Sequence, residues 1–173
     1  MFPINPKIGF STSLDTMRIH IATDHAGLDL SHFLIEELSK DGHHVFDHGP
    51  DHYDALDDYP GFCINAALAV IADQNAGVEA LGIVLGGSGN GEQIAANKVE
   101  GIRAALVWNE STAKLAREHN DANVVAVGAR QHSQEEVLHL IKLFIAEPFS
   151  NDERHVRRIN KIGNYETSGE VIL

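Results

Sequence analysis

The stretch LGIVLGGSGNGE, residues 81–92, carries the strongest structural signal in the chain. It begins with a continuous apolar run, Leu81 to Leu85, which is typical of a strand buried on both faces of a parallel sheet. Gly86 to Gly91 follow as a glycine-rich loop, and a helical pattern then runs from about Glu92 to Lys98. This order predicts a central strand, a turn at its carboxyl end and a helix behind the turn.

Strands and helices alternate on both sides of that stretch. Further short apolar runs predict strands at Ile19–Thr23, Val45–Phe46, Ala104–Val107 and Val124–Val127. Apolar residues at helical spacing predict a helix after each strand, the last of them opened by a capping box of Ser133 and Glu136. The order predicts an α/β domain with a five-stranded parallel sheet and helices on both faces. Ligands of such sheets bind beyond the carboxyl ends of the strands, so we expect the chemistry in the loops after strands one, three, four and five.

One more helix, predicted from Asp152 to about Tyr165, is not needed to cover a five-stranded sheet. On a helical wheel it has a basic face and an apolar face, formed by Arg154, Arg157, Arg158 and Lys161 and by Val156, Ile159 and Ile162. An arginine fork matches a phosphate group, although a solvated face paired with nearby acids is the usual role of such a charge run. The apolar stripe must be buried somewhere, and we expect it to dock on a neighbouring subunit.

Composition limits the classes of function. The 173 residues fit one domain, expected at 17–165 between a disordered leader at 1–16 and a C-terminal tail at 166–173. The formal net charge of −12 disfavours nucleic acid and anionic membrane surfaces as partners, and no apolar run has the length of a membrane span. The leader is a poor signal peptide, and the single cysteine, Cys63, excludes an internal disulfide. These features predict a cytoplasmic protein in which a local basic patch holds any anionic ligand.

The glycine-rich loop is suited to holding an anion, because glycines let the backbone approach a ligand and turn its N–H groups inward. It has neither the Gly-Lys-Ser/Thr ending of a P-loop nor a G-x-G-x-x-G spacing. Glu92 would repel a pyrophosphate, but a carboxylate beside backbone donors suits proton abstraction next to a carbonyl. Alternatively, Glu92 is only a first-turn acid that the helix dipole favours. A base in this place also meets a conflict, since the dipole lowers a carboxylate pKa and burial raises it.

A segment rich in histidine and aspartate has the residue types of a metal site. It contains His43, His44, His48 and His52, with Asp47, Asp51, Asp54, Asp57 and Asp58. Gly49-Pro50 prevents the helix that would align the histidines, and the spacing matches no H-E-x-x-H motif. We therefore expect a polar loop here, with a metal site as the alternative.

Six motifs occur in a characteristic order: Asp24-His25-Ala26-Gly27, Asp58-Tyr59-Pro60, Gly86 to Glu92, Ala95-Ala96-Asn97-Lys98, His119-Asn120 and Arg154-His155-x-x-Arg158. In these motifs the chain resembles the sugar-phosphate isomerase family of the type B ribose-5-phosphate isomerases, which also holds allose- and galactose-phosphate isomerases. The resemblance covers about Met17 to Tyr165. It implies a Rossmann-like three-layer α/β/α sandwich, a homodimer or larger assembly, and no metal or organic cofactor.

The resemblance also implies roles for individual residues. Those that would hold the phosphorylated sugar are Asp24, His25, Gly87, Ser88, Gly89, Asn90, Gly91, Asn120, Arg130, Arg154 and Arg158. His119 would open the sugar ring by acid–base catalysis. Many members have a catalytic cysteine where this chain has Gly86, and Cys63 lies too far along the chain to be assumed as its replacement. A second branch uses the glutamate at the end of the loop, and Gly86 with Glu92 resembles that branch.

The expected reaction is the interconversion of ribose 5-phosphate and ribulose 5-phosphate in the pentose phosphate pathway. Glu92 would move a proton between C1 and C2 through a cis-enediolate, which Ser88 and the loop N–H groups would stabilise. Isomerisation of a six-carbon sugar phosphate, allose or galactose 6-phosphate, is an alternative. A non-catalytic module that binds an anion or a nucleotide is another; it would need the loop and the arginines but neither Glu92 nor His119.

Overall fold

The computed structural model describes residues 16–173, so nearly all of the predicted leader lies outside the described residues. Its sheet has five strands in the order β2-β1-β3-β5-β4, and every pairing is parallel. The strands are β1 (Arg18–Thr23), β2 (His44–Asp47), β3 (Ala80–Gly86), β4 (Ala104–Leu106) and β5 (Val124–Gly128). The predicted α/β class and parallel sheet are confirmed, with shifts of a few residues at the strand ends.

Helices connect these strands and cover the sheet. They are α1 (Leu28–Lys40), α2 (Tyr59–Asn75), α3 (Asn90–Ala96), α4 (Glu110–Asn120), α5 (Gln134–Ala146) and α6 (Glu153–Ser168), and a 3₁₀ turn, His25–Gly27, precedes α1. The predicted extra C-terminal helix is α6, which continues past Tyr165 into the predicted tail. In residues 16–173, no helix combines the length and the apolar character needed to cross a membrane.

The sheet separates two apolar cores and so forms the middle of three layers. Alternate residues of β3 point to opposite sides: Ile83 joins the core under α1, α4 and α5, and Val84 joins the core under α2 and α3. All residues of β3 are buried, because this strand lies between β1 and β5 and is covered on both faces. This burial explains the continuous apolar run from which the sheet was predicted.

The ends of the helices follow the chemistry of their sequences. The predicted capping box of α5 is present: the Ser133 hydroxyl accepts the Glu136 N–H, and the Glu136 carboxylate accepts the Ser133 N–H at 2.8 Å. Helix α3 begins at Asn90, slightly earlier than expected, because Gly89 precedes it with a φ of +80°. A Cβ at Gly89 would also lie 2.7 Å from the Leu106 side chain, so glycine is required there by both conformation and space.

Candidate active site

A cleft of about 570 Å³ opens at the carboxyl edge of the sheet. Its walls come from the loops after β1, β3 and β5 and from the start of α2, through Asp24, His25, Ala26, Tyr59, Gly87, Ser88, Gly91, Glu92, Arg130 and Gln131. The loop after β4 contributes Trp108 to a neighbouring hollow, which shares Ser88 with the cleft and also contains Asn90. Most of the candidate residues on the first, third and fifth strands therefore meet at one place, as expected.

Glu92 is buried beside this cleft, with only 4% of its surface exposed. Burial raises the pKa of Glu92 above its ordinary value of 4.5, a hydrogen bond from its own backbone N–H lowers it, and the charge of Asp24 raises it. The net direction is upward, so burial and the charge of Asp24 outweigh the backbone hydrogen bond. A carboxylate with a raised pKa accepts a proton more readily than an exposed glutamate does, which suits a general base.

Asp24 and His25 form the wall that follows β1. The Asp24 carboxylate accepts the backbone N–H of Ala26 at 2.9 Å and so caps the 3₁₀ turn. The ring Nδ1 of His25 lies 2.6 Å from Oδ1 of Asp57. The ring is thus held in place by a residue 32 positions further along the chain.

Among the residues of this region that were not predicted as site residues, two make contacts with predicted ones. Tyr59 lines the cleft directly, and a Cβ at Gly91 would overlap its hydroxyl group, so the glycine lets Tyr59 approach the loop. Asp57 contacts His25 but appeared in the sequence only among possible metal ligands. Both lie in or next to the Asp58-Tyr59-Pro60 motif, and that neighbourhood is the sequence signal that points to them.

Arg130 brings a positive charge to the glycine loop. Its backbone N–H donates to the Gly87 carbonyl at 3.2 Å, and its guanidinium lies above Gly87, where a Cβ would come within 3.5 Å of Nη1. Ser88 is exposed on the same loop, and its hydroxyl accepts the Asn90 side-chain amide at 3.2 Å. A cation, a hydroxyl and a buried carboxylate therefore face one cleft in a chain that is acidic overall.

The remaining predicted site residues lie elsewhere. Helix α4 runs back from the end of β4 and finishes at Asn120, shortly before β5 begins. His119 and Asn120 therefore lie at the amino edge of the parallel sheet, opposite the cleft. Arg154 and Arg158 are exposed on α6, which packs against α4. A single chain thus contains two separate groups of candidate residues, one at each edge of the sheet.

The second group is built around a pair of histidines. The rings of His119 and His155 lie 4.2 Å apart, and His155 is buried while its Nδ1 lies 2.9 Å from the Ser150 hydroxyl. Burial lowers the pKa of His155, and the neighbouring His119 lowers it further. The lowered pKa favours the neutral form of His155, and His119 is the more exposed member of the pair.

A family model described as Ribose/Galactose Isomerase matches residues 19–162 of the chain. The chain belongs to the ribose/galactose isomerase family. Ribose-5-phosphate isomerase B of Mycobacterium tuberculosis (strain ATCC 25618 / H37Rv) is 50% identical over 154 residues, which cover 89% of this chain and 93% of that protein. The probable ribose-5-phosphate isomerase B of Mycoplasma genitalium is 41% identical over 155 residues, or 90% of this chain and 99% of that protein.

Solved structures agree with the family assignment. Ribose-5-phosphate isomerase B from Mycoplasma genitalium with bound ribulose-5-phosphate has a TM-score of 0.83 and 41% identity, covering 88% of this chain and 97% of the other. Type B ribose 5-phosphate isomerase from Trypanosoma cruzi has a TM-score of 0.80 and 41% identity, covering 87% and 99% of the two chains. The Rossmann-like three-layer fold expected from the resemblance is thereby confirmed.

Gly86 explains why this family member can place a glutamate at the end of the loop. A Cβ built on Gly86 would overlap the Glu92 carboxylate. A cysteine at position 86 would therefore clash with the Glu92 carboxylate in its observed position. The pairing of glycine at position 86 with glutamate at position 92 therefore has a steric reason.

Cys63 lies far from Gly86 along the chain, but the fold places it close to the site. Helix α2 buries its thiol in the core shared with α3. Burial raises the pKa of Cys63 to about 12, and the charges of Glu92 and Asp24 contribute in the same direction. The thiol therefore stays protonated at neutral pH and is a poor base or nucleophile.

The histidine-rich segment is dispersed in the structure. His44 is exposed on β2, and the Nε2 of His48 lies 2.9 Å from Nδ1 of His20 on β1. Within the described range, the residues that could share a metal ion are Asp24, His25 and Asp57, whose ligand atoms lie within 4.8 Å of one another. The contact between His25 and Asp57 has the length of a hydrogen bond to a carboxylate, and that bond already uses the Nδ1 of His25.

Proposed function

We propose that this chain interconverts ribose 5-phosphate and ribulose 5-phosphate, with Glu92 as the base. The observation that carries the proposal is the buried Glu92 carboxylate, whose pKa is raised, beside a loop that also faces Arg130. The relatives named as ribose-5-phosphate isomerase B, and the related structure with bound ribulose-5-phosphate, support this choice of substrate. The proposed setting is the pentose phosphate pathway in the cytoplasm, where the free thiol of Cys63 is stable.

In the proposed mechanism, Glu92 takes a proton from one of the carbons C1 and C2 of the open-chain sugar and returns it to the other. Removal of the proton leaves a cis-enediolate, whose negative oxygen needs hydrogen-bond donors. Within the enediolate the hydroxyl proton passes between the C1 and C2 oxygens, so that the carbonyl group changes place when the carbon is reprotonated. Ser88 and the N–H groups of the loop residues Gly87, Gly89, Asn90 and Gly91 are the proposed donors. Asp24 and His25 would hold the sugar hydroxyl groups at the opposite wall.

We further propose that two copies of the chain complete each site. His119 would open the sugar ring, Asn120 would hold the sugar, and Arg154 and Arg158 would bind its phosphate. These residues lie at the opposite edge of the sheet from Glu92, so one chain cannot bring them to its own cleft. Their charges are available: in residues 16–173, Arg154 has one long ion pair, 3.8 Å to Asp152, and Arg158 has none.

The apolar surface of the chain favours a homodimer or a larger homo-oligomer. Ile162 on α6 is 58% exposed, and Trp108 beside the edge strand β4 is 57% exposed. A hollow of about 550 Å³ between α6 and β4 is lined by both, together with Ile102, Leu106 and Ile159. Exposed apolar surface of this kind marks an interface, and a two-fold axis would exchange the two halves of the site between copies.

The test of the proposed function is turnover of Glu92→Gln. The substitution keeps size and polarity but removes the proton acceptor, so kcat should fall by about 10²–10⁴-fold while ribose 5-phosphate still binds. Glu100→Gln, on the nearby exposed surface, is the matched control and should keep normal turnover. A near-normal kcat in Glu92→Gln would show that Glu92 acts only as an acidic residue at the helix terminus, and it would exclude the proposed mechanism.

The same assay decides between sugars. Ketose formation from ribose 5-phosphate should exceed that from allose 6-phosphate and galactose 6-phosphate. The family description includes galactose isomerases, which keeps a six-carbon substrate as the second candidate. Binding of all these sugars without any turnover would instead indicate a non-catalytic anion-binding module.

A further inference from the structure

The contact between His25 and Asp57 joins a predicted substrate-binding residue to one with no assigned role. Oδ1 of Asp57 lies 2.6 Å from Nδ1 of the His25 ring and also accepts the His25 backbone N–H at 3.0 Å. Two hydrogen bonds from one residue to one oxygen determine both where the His25 backbone lies and how its ring is turned. If Asp57 served only to hold the loop, the bond from the His25 backbone would be enough.

The segment that carries Asp57 is itself organised to present this carboxylate. The Asp54 carbonyl accepts the Asp57 N–H at 3.1 Å, and the Asp54 side chain accepts the Leu56 N–H at 2.9 Å. These bonds close a turn just before α2. Tyr53, from the same segment, meets the His25 ring edge to face with centroids 5.9 Å apart. The ring is therefore confined by two side chains of one segment.

The position of Asp57 is unfavourable for the stability of the fold in one respect. Its side chain is only 10% exposed, and its second oxygen, Oδ2, is buried without a donor from any residue between 16 and 173. A buried carboxylate oxygen with no partner is destabilising. An aspartate kept in such a place serves the orientation of its partner better than it serves the fold.

The contact also determines which ring nitrogen is available to a ligand. A neutral imidazole has one N–H donor and one nitrogen with a lone pair. Asp57 is a carboxylate and can only accept, so Nδ1 carries the proton and Nε2 keeps the lone pair. Since His25 lines the cleft and Nδ1 is occupied, Nε2 is the atom left for the ligand.

We propose that Asp57 is a positioning residue: it holds His25 in the Nδ1–H form, so that Nε2 accepts a hydrogen bond from a sugar hydroxyl group. This role rests on the proposed sugar-phosphate isomerase function. It differs from a role of Asp57 in metal binding, because a metal would have to displace the proton on Nδ1 that the hydrogen bond requires.

The test compares Asp57→Ala and Asp57→Asn with the control Asp51→Asn, an exposed aspartate of the same segment. Nitrogen NMR of the neutral His25 ring in the full-length, ligand-free protein reports which nitrogen carries the proton. We expect the proton on Nδ1 in the unsubstituted chain and in Asp51→Asn. In Asp57→Ala it should move to Nε2, and Asp57→Asn, whose amide oxygen still accepts, should keep it largely on Nδ1.

Kinetics with ribose 5-phosphate provide the second readout. For Asp57→Ala, kcat/KM should fall by about 10- to 100-fold, the effect typical of removing a carboxylate that orients a histidine in metal sites. Most of the loss should appear in KM, and Asp57→Asn should lose less. A purely structural role would instead lower the unfolding midpoint and leave KM of the folded enzyme unchanged.

Two results would overturn the proposal. One is a His25 ring in the unsubstituted chain that carries its proton on Nε2, or that keeps protons on both nitrogens wherever the protein is folded. The other is a KM of Asp57→Ala equal to that of the control. The NMR result does not depend on turnover, so a chain that fails to isomerise any sugar phosphate would refute the proposed function and leave this test of Asp57 standing. If Asp57→Ala does not fold, the unsubstituted chain and Asp57→Asn still decide the question.

Discussion

Mixing the subunits of two inactive variants should restore isomerase activity. The first is Glu92→Gln, which damages the cleft at the carboxyl edge of the sheet. The second is the double variant Arg154→Ala, Arg158→Ala, which damages the group on α6. These two groups lie at opposite edges of the sheet within one chain, so in the proposed shared site each of two chains contributes one group.

The expected recovery follows from this arrangement. In a mixed dimer, one site combines the damaged cleft with the damaged arginines, and the other combines an intact cleft with intact arginines. Random pairing makes about half of the dimers mixed, so about a quarter of all sites should be active by the symmetry of a two-fold interface. Each variant reassociated alone should stay inactive, since both of its sites carry the same defect.

The assay is ketose formation from ribose 5-phosphate after mild dissociation, mixing and reassociation. Mass spectrometry of subunits with different isotope labels would measure the fraction of mixed dimers independently. Glu92→Gln mixed with Gly86→Ala is the matched control, because both changes damage the same half of the site and no arrangement can separate them. No recovery from the first mixture, with mixed dimers present, would refute the shared site and place the base and the arginines of each site on the same chain.

Four further outcomes are expected. Gly86→Ala should lower kcat by about 100-fold, because the new methyl group overlaps the Glu92 carboxylate and displaces it; normal kcat would show that the carboxylate works from another position. Glu92 binds its proton more tightly in the folded chain than in the unfolded one, so the wild type should lose stability relative to Glu92→Gln as pH rises above 4.5, and the difference in unfolding midpoint should stop changing with pH in acid, where Glu92 is protonated in both states. The same raised pKa should place the acid limb of the kcat/KM profile above that of an ordinary glutamate, and an unshifted limb would contradict the burial argument. Cys63→Ala should leave kcat nearly unchanged, since a thiol with a pKa of about 12 is protonated during turnover, whereas a large loss would indicate thiol chemistry.

The amino-acid sequence by itself determined the class of fold and the edge of the sheet at which several candidate site residues meet. The period of apolar residues is a local property, so a buried strand such as Leu81–Leu85 and the glycine loop behind it can be recognised without any tertiary contact. Parallel strands bring their carboxyl ends together, and this rule alone placed Asp24, Glu92 and Arg130 in one region. The capping box of Ser133 and Glu136 is local for the same reason.

Only the tertiary structure decided what depends on distant residues. The direction of the Glu92 pKa depends chiefly on burial, and burial is a property of the whole packed chain. The bond from Asp57 to His25 joins residues 32 positions apart, and no periodicity in the sequence reports such a contact. The position of His119 at the edge opposite Glu92 follows from the direction in which α4 runs between two paired strands. Order along the chain does not contain these relations, because they arise when the sheet and its helices pack in three dimensions.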